Sequence, residues 1–313
     1  MSQVKEYKGK KGFDIIKTTH FDIQRKIVAN MTTESWQNIP HSAINYEPDV
    51  TDFMEYYKTN IKPKGISVNS LLLKVMVEGL KACPEMNGHI DFNRRFVKGK
   101  IEIYKDINIS MPMIMPNGAM MTINMHNFES RTLKEMQDYI ADVKRKMEKT
   151  NMTEAMFSVS MDNTISALKK GKLMTVFGRL LGAKVGKHKV VTLKGKAKKD
   201  YKKIPETDRI VKGDIEQGTI TITSTGSVYN KGAYCGTTLI EVIPPQITAI
   251  GIGSFSDKPG VVVNENGEKV VAVRNYLPIL LAFDHRALDF GEMEPFLRRL
   301  DDIFAHPEQM ENW

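Results

Sequence analysis

His285 and Asp289 stand four residues apart in Phe283-Asp284-His285-Arg286-Ala287-Leu288-Asp289-Phe290-Gly291. An imidazole titrates near neutral pH, so a positioned histidine suits proton abstraction. The apolar run Tyr276 to Phe283 predicts a buried strand ending at this histidine. Beyond Gly291, residues Met293, Phe296, Leu297, Leu300, Ile303 and Phe304 recur at helical spacing and predict an amphipathic helix. A histidine between a strand and a helix can be held in one orientation. The bare pattern His-x-x-x-Asp also describes a turn residue followed by a helix cap, with Asp289 marking the turn.

Other nucleophiles and metal sites find little support. There is no Gly-x-Ser-x-Gly elbow, and Cys83 and Cys235 form no Cys-x-x-Cys pair or metal-spaced cluster. His20, His41, His89, His126, His188 and His306 have weaker claims than His285. Two cysteines in 313 residues are too few for a disulfide framework and fit a reduced cytoplasm. No eighteen-residue apolar run suggests a membrane span, and Lys-rich Met1 to Lys11 lacks the apolar core of a signal peptide.

The elements that must carry the site alternate helix and strand. One helix is predicted from Ser67 through Val68, Leu71, Leu72, Val75, Met76 and Leu80 until Pro84 stops it. A second opens on a capping box, Thr132 with Glu135, and places Leu133, Met136, Ile140, Val143 and Met147 on one face. Strand signals cover Ile101 to Ile109, Thr219 to Thr225, Ile247 to Ser254 and Lys269 to Arg274, the last after an Asn264-Glu265-Asn266-Gly267 turn. This mixture predicts an α+β sandwich with helices layered over a sheet. Met111, Met113, Met115, Met120, Met121 and Met125 crowd one strand region, as core filler or as the lining of an adaptable apolar pocket.

Five motifs, in one order from residue 13 to 310, carry a family resemblance. They are Gln24-Arg25-Lys26-Ile27-Val28-Ala29-Asn30-Met31-Thr32-Thr33-Glu34-Ser35 with Ile39-Pro40-His41; Leu80-Lys81-Ala82-Cys83-Pro84-Glu85-Met86-Asn87; Thr219-Ile220-Thr221-Ile222-Thr223-Ser224-Thr225-Gly226; Ile243-Pro244-Pro245-Gln246 with Ala249-Ile250-Gly251-Ile252-Gly253 and Lys258-Pro259; and the Asp284 to Gly291 segment. The chain thereby resembles the acyltransferase cores of 2-oxoacid dehydrogenase complexes, relatives of chloramphenicol acetyltransferase. The resemblance implies a chloramphenicol acetyltransferase-like two-layer sandwich, with a mixed β-sheet covered by helices. It also implies a homotrimer, or a multiple of three, with active sites between subunits.

The implied chemistry moves an acyl group between coenzyme A and a thiol, hydroxyl or amine, with acyl-CoA as substrate and no metal. His285 is then the general base and Thr223 the oxyanion donor, with Ser224 taking that place if the alignment slips by one. Asp289 would pair with Arg25 to brace the loop, while Ser224, His41 and Arg286 would meet substrate. Three departures stand out. Phe290 occupies the place of the family's glycine, leaving Gly291 one step late. No lipoyl domain or peripheral-subunit-binding domain is recognised, so a basic tail at 1–12, a catalytic domain at 13–313 and no covalent lipoyl group are expected. The segment at about 150–212 is longer and more basic than its counterpart. The alternative function is a catalytically inert trimeric scaffold.

Net charge is +8, yet Lys169 to Lys203 holds thirteen Lys and Arg against Asp200 alone, so the remainder is slightly acidic. Such a block is either a solvated loop or an anion-binding surface. The phosphates of coenzyme A are one partner it could serve. Leu173, Val176, Phe177, Leu180 and Leu181 beside the cations offer another, a weak contact with an anionic membrane surface through 169–203. Sparse aromatics and the lack of a nucleic-acid motif argue against nucleic acid.

Overall fold

The structure, a computed structural model, describes residues 7–8, 14–115, 118, 120–169, 173–185, 189–228 and 238–313. Most of the predicted tail at 1–12, together with Lys170, Lys172, Lys187, His188 and Cys235, lies outside them. The chain forms two compact units, Met1–Asn30 with Asn151–Ile204, and Met31–Thr150 with Pro205–Trp313.

In chain order, β1 (Tyr7–Lys8) pairs with β2 (Asp14–Ile15), and α1 (Ile23–Asn38) follows. The larger unit continues through β3 (His41–Tyr46), α2 (Thr51–Tyr56), α3 (Val68–Ala82), β4 (Gly88–Asn93), β5 (Lys98–Ile103), β6 (Ile109–Ile114), β7 (Met120–Met125) and α4 (Leu133–Lys149). The smaller unit contributes α5 (Met152–Lys169), α6 (Leu173–Lys184) and α7 (Gly195–Lys202). Then come α8 (Lys212–Ile215), β8 (Ile220–Ser224), β9 (Thr248–Ile252), β10 (Ser256–Val263), β11 (Lys269–Tyr276), β12 (Ile279–Asp284) and α9 (Glu294–Ala305).

A six-stranded mixed sheet, ordered β3-β12-β9-β8-β6-β7, is the core of the larger unit. β8 runs parallel to both β6 and β9, and the remaining pairs are antiparallel. Strands β9 and β12 are buried at every position, as strands covered on both faces must be, and they read as continuous apolar runs. The expected α+β architecture is therefore present.

The helix signals mark real ends. Ser67 caps α3 by accepting the Ser70 N–H, and Thr132 and Glu135 close the capping box of α4. Helix α3 packs against α9 so closely that a Cβ at Gly79 would lie 2.6 Å from Phe296 and Leu300 side chains. The Asn264–Gly267 turn joins β10 to β11, with Gly267 at φ +81°.

Two strand expectations need correction. The run Tyr276 to Phe283 is not one strand, because Tyr276 ends β11 and β12 starts only at Ile279. Pro278 between them has no N–H to give a ladder. The run Ile101 to Ile109 also breaks, since β5 stops at Ile103 and β6 starts at Ile109. Buried Asn87 takes the carbonyls of Tyr104 and Asp106, and Glu129 takes the Ile107 N–H, so side chains replace the ladder there.

Candidate active site

His285 leaves the end of β12 in a tight turn. Its N–H donates to the Pro40 carbonyl at 3.1 Å, and the Ala287 and Leu288 N–H groups both return to the Asp284 carbonyl. The Asp284 side chain, 0% exposed, anchors this turn. It accepts from the Arg286 N–H at 3.0 Å, Nε at 2.9 Å and Nη2 at 2.5 Å. A buried carboxylate requires such a partner, and a planar guanidinium supplies two parallel bonds. Arg286, expected at the substrate, thus has Nη1 left for it. Asp284 was missed as a positioning residue, although a carboxylate closing an apolar run two places before an arginine is a legible signal.

His285 Nδ1 lies 3.1 Å from Asp289 Oδ1. This contact places the ring proton on Nδ1 and leaves the Nε2 lone pair as the acceptor. The imidazole is about half exposed, so Nε2 is open to a substrate. Asp289 also donates its N–H to Glu292 Oε2 at 2.7 Å, opening the short 3-10 turn Phe290–Met293. Cys83 Sγ donates to the Glu292 carbonyl and braces that turn from beneath. Neither Phe290 nor Gly291 has a positive φ. The displaced glycine therefore places no backbone demand on this loop, and Phe290 projects toward solvent.

His41 sits opposite Asp284 across the β3–β12 ladder. Its Nε2 accepts the Val242 N–H at 3.1 Å, while Ser35 Oγ, 3.2 Å away, donates to the Val242 carbonyl at 2.7 Å. These bonds tie the start of β3 to the segment around Val242. Gln246 plays a similar part, donating to the Gly218 carbonyl and accepting from Thr221 Oγ1. The Ile-Pro-His and Pro-Pro-Gln motifs thus hold the sheet's surroundings in register.

Thr223 and Ser224 close β8, and both are among the residues lining a cavity of about 840 Å³, with Met111, Met113, Met115 and Met120. Ser224 Oγ accepts the Ser227 N–H at 3.2 Å. Thr223 Oγ1 has no hydrogen-bond partner among the described residues and is free to donate. Met121 and Met125 are buried, so the methionine run divides between core and pocket.

The same protomer does not bring His285 and Thr223 together. Thr223 pairs with Gly251, and Gly251 with Leu280, five positions before His285 on β12. At about 3.3 Å per residue and about 4.8 Å per strand, the two lie roughly 19 Å apart across the sheet.

Arg25 lies on α1 in the smaller unit, where its N–H donates to Asp22 Oδ1. Cys83 is a poor nucleophile, because burial, and then the Glu85 carboxylate, pushes its thiol up to about 11. Burial lowers the pKa of His89, whose Nε2 is held 3.1 Å from the Gly218 carbonyl. No group of three or more His, Cys, Asp or Glu among the described residues could hold a metal ion.

The sequence is 24% identical over 281 residues to the dihydrolipoyllysine-residue acetyltransferase component of the pyruvate dehydrogenase complex of Mycoplasma pneumoniae, covering 87% of this chain and 51% of that protein. The chain spans about half the length, or less, of the first curated relatives it matches. In structure it resembles the cubic core of the pyruvate dehydrogenase multienzyme complex at TM-score 0.60 and 19% identity, covering 95% of this chain and 94% of that one. It resembles Azotobacter vinelandii dihydrolipoamide acetyltransferase at TM-score 0.58 and 19% identity, with 95% and 94% covered. That structure served to investigate the catalytic roles of a serine, a histidine and an asparagine. These likenesses fix the fold. Residues 15–168 and 184–311 match the profile of one family along nearly the whole fold, and the chain belongs to that family, the 2-oxoacid dehydrogenases acyltransferase (catalytic domain).

Proposed function

We propose that this chain is an acyltransferase that moves an acyl group between coenzyme A and a thiol, hydroxyl or amine, within a homotrimer. The observation that carries the reading is the split site: a histidine oriented by a carboxylate on one side of the sheet, and an unpartnered threonine hydroxyl roughly 19 Å away. A base and an oxyanion donor must both lie within about 3 Å of their targets. One protomer cannot meet that condition, but a ring can present Thr223 of one copy to His285 of the next.

In the reaction, His285 Nε2 takes the acceptor's proton while the acceptor's heteroatom bonds to the thioester carbonyl. Thr223 Oγ1 donates to the resulting oxyanion. Collapse breaks the carbon–sulfur bond, and the coenzyme A sulfur leaves with the proton held on His285. Asp289 orients the imidazole. Ser224 and Nη1 of Arg286 meet the substrate, while His41, with Nε2 on the Val242 N–H and Nδ1 buried, takes the structural role. Residues 13–313 are read as the catalytic domain, with the basic insertion at about 150–212, acting in the cytoplasm. In the described residues no helix is long and apolar enough to cross a membrane.

A panel of acyl-CoA donors incubated with thiol, amine and alcohol acceptors, followed by mass spectrometry, tests this reading. We expect an acyl adduct together with released coenzyme A, both lost in His285→Ala. A panel without any adduct would leave the inert scaffold. Phe290 is the residue that motivates that alternative, and its ordinary backbone weakens it.

A second observation bears on the basic segment. Helix α6 exposes Leu173, Met174, Phe177 and Leu181, and Val185 follows at the same spacing. Their angular positions fill one arc of about 120° on a helix. Within the smaller unit, α5 packs on α6, and buried Glu154 of α5 holds Lys198 at 3.5 Å and accepts the Leu193 N–H. An apolar arc in a segment carrying thirteen cations suits an anionic membrane surface better than the phosphates of coenzyme A. Neutralising Lys194, Lys196, Lys198 and Lys199 should abolish salt-sensitive flotation with anionic vesicles and leave the KM for acyl-CoA unchanged. A raised KM with no vesicle binding would assign the block to the donor.

A further inference from the structure

We infer that the methionine-lined cavity is an acyl pocket for linear chains longer than acetyl, so that this chain selects longer acyl donors over acetyl. The inference rests on Thr223 as the oxyanion donor proposed above. If its hydroxyl meets the thioester oxygen, the acyl carbon chain begins beside β8, where the cavity opens. The volume, about 840 Å³, falls within the range of pockets that bury whole drug-sized ligands. An acetyl group would leave most of it to water.

The apolar part of the lining matches a hydrocarbon, while Ser67, Asn69, Ser70 and Ser227 add polar groups to it. Ile222 and the methionines of the β6–β7 region form one side, and Leu73, Ile140 and Met147 from α3 and α4 form the other. Exposed Lys144 and Glu148 mark the open side, so a chain lies along apolar wall before its end reaches water. Unbranched thioether side chains adapt to chains of different length, whereas a rigid β-branched wall would select one shape.

Donor chain length tests the inference. Complete burial of each methylene raises affinity about fourfold, so each two-carbon step from butanoyl to octanoyl should raise kcat/KM on the order of tenfold. Filling the cavity from opposite walls, with Met111→Trp on β6 or Ile140→Trp on α4, should flatten the profile toward acetyl. Two independent walls guard against one variant that fails to fold. Equilibrium binding of S-ethyl-CoA and S-octyl-CoA, which cannot react, gives a readout independent of turnover. Tighter binding of S-octyl-CoA, lost in the Trp variants, supports the pocket even when no donor is consumed. That combination would overturn the acyltransfer reading alone. Equal binding of the two thioethers, or a profile that the Trp variants leave unchanged, overturns the pocket, and acetyl turnover would still uphold acyl transfer. Binding of neither thioether overturns both.

Discussion

If the chain transfers acyl groups as proposed, His285→Ala should lower kcat by about 10²–10⁴-fold while the fold and the proposed trimer persist. The imidazole is half exposed and bonded to Asp289, itself at the surface, so its removal opens no cavity in the core and strands no buried charge. His285→Asn should be equally inactive, because an amide in that place has no basic nitrogen. Circular dichroism and light scattering verify the fold and the assembly, and steady-state kinetics measure the loss. Retention of more than about a tenth of the wild-type kcat by either variant would remove His285 from the base role.

Mixed assembly of the proposed trimer should give the second large effect. Thr223→Ala should cost about 10²–10³ in kcat, with Thr223→Ser close to wild type, since only the donor hydroxyl matters. Two inactive proteins, His285→Ala and Thr223→Ala, unfolded together and refolded in equal amounts, should then recover activity. In a closed ring whose site takes His285 from one copy and Thr223 from the next, random assembly leaves about one site in four with both groups intact. Activity near a quarter of wild type is therefore expected in the mixture, against almost none in either parent. A mixture no more active than its parents would show that each protomer works alone, contrary to the separation along the sheet.

Much of this arrangement was legible from local signals. The capped starts of α3 and α4 and the apolar face of α9 are written in residues within one or two turns of each other, so they survive folding unchanged. The His285–Asp289 contact was not foreseen, since Asp289 was expected to mark the turn and pair with Arg25, although four residues of turn suffice to bring the two together. Asp284 was read only as motif, because its importance comes from burial against Arg286 rather than from spacing. The break after Ile103 was hidden, since Asn87 acts from a distant segment, whereas Pro278 inside the Tyr276 to Phe283 run is a strand breaker that the sequence itself displays. Which methionines fill the core and which face the cavity depends on what covers each side of the β6–β7 hairpin. Alternation along a strand cannot decide that.

Under the proposed shared site, the distance between the two ends of the sheet would also make the rate a gauge of assembly. If neither half-site works alone, turnover per milligram is not a constant of this protein. It should decline on dilution through the dissociation range, and a reaction run there should begin with a lag whose length shortens as protein is added. A cell that changes only the amount of this protein would then change its output more than proportionally, without any effector.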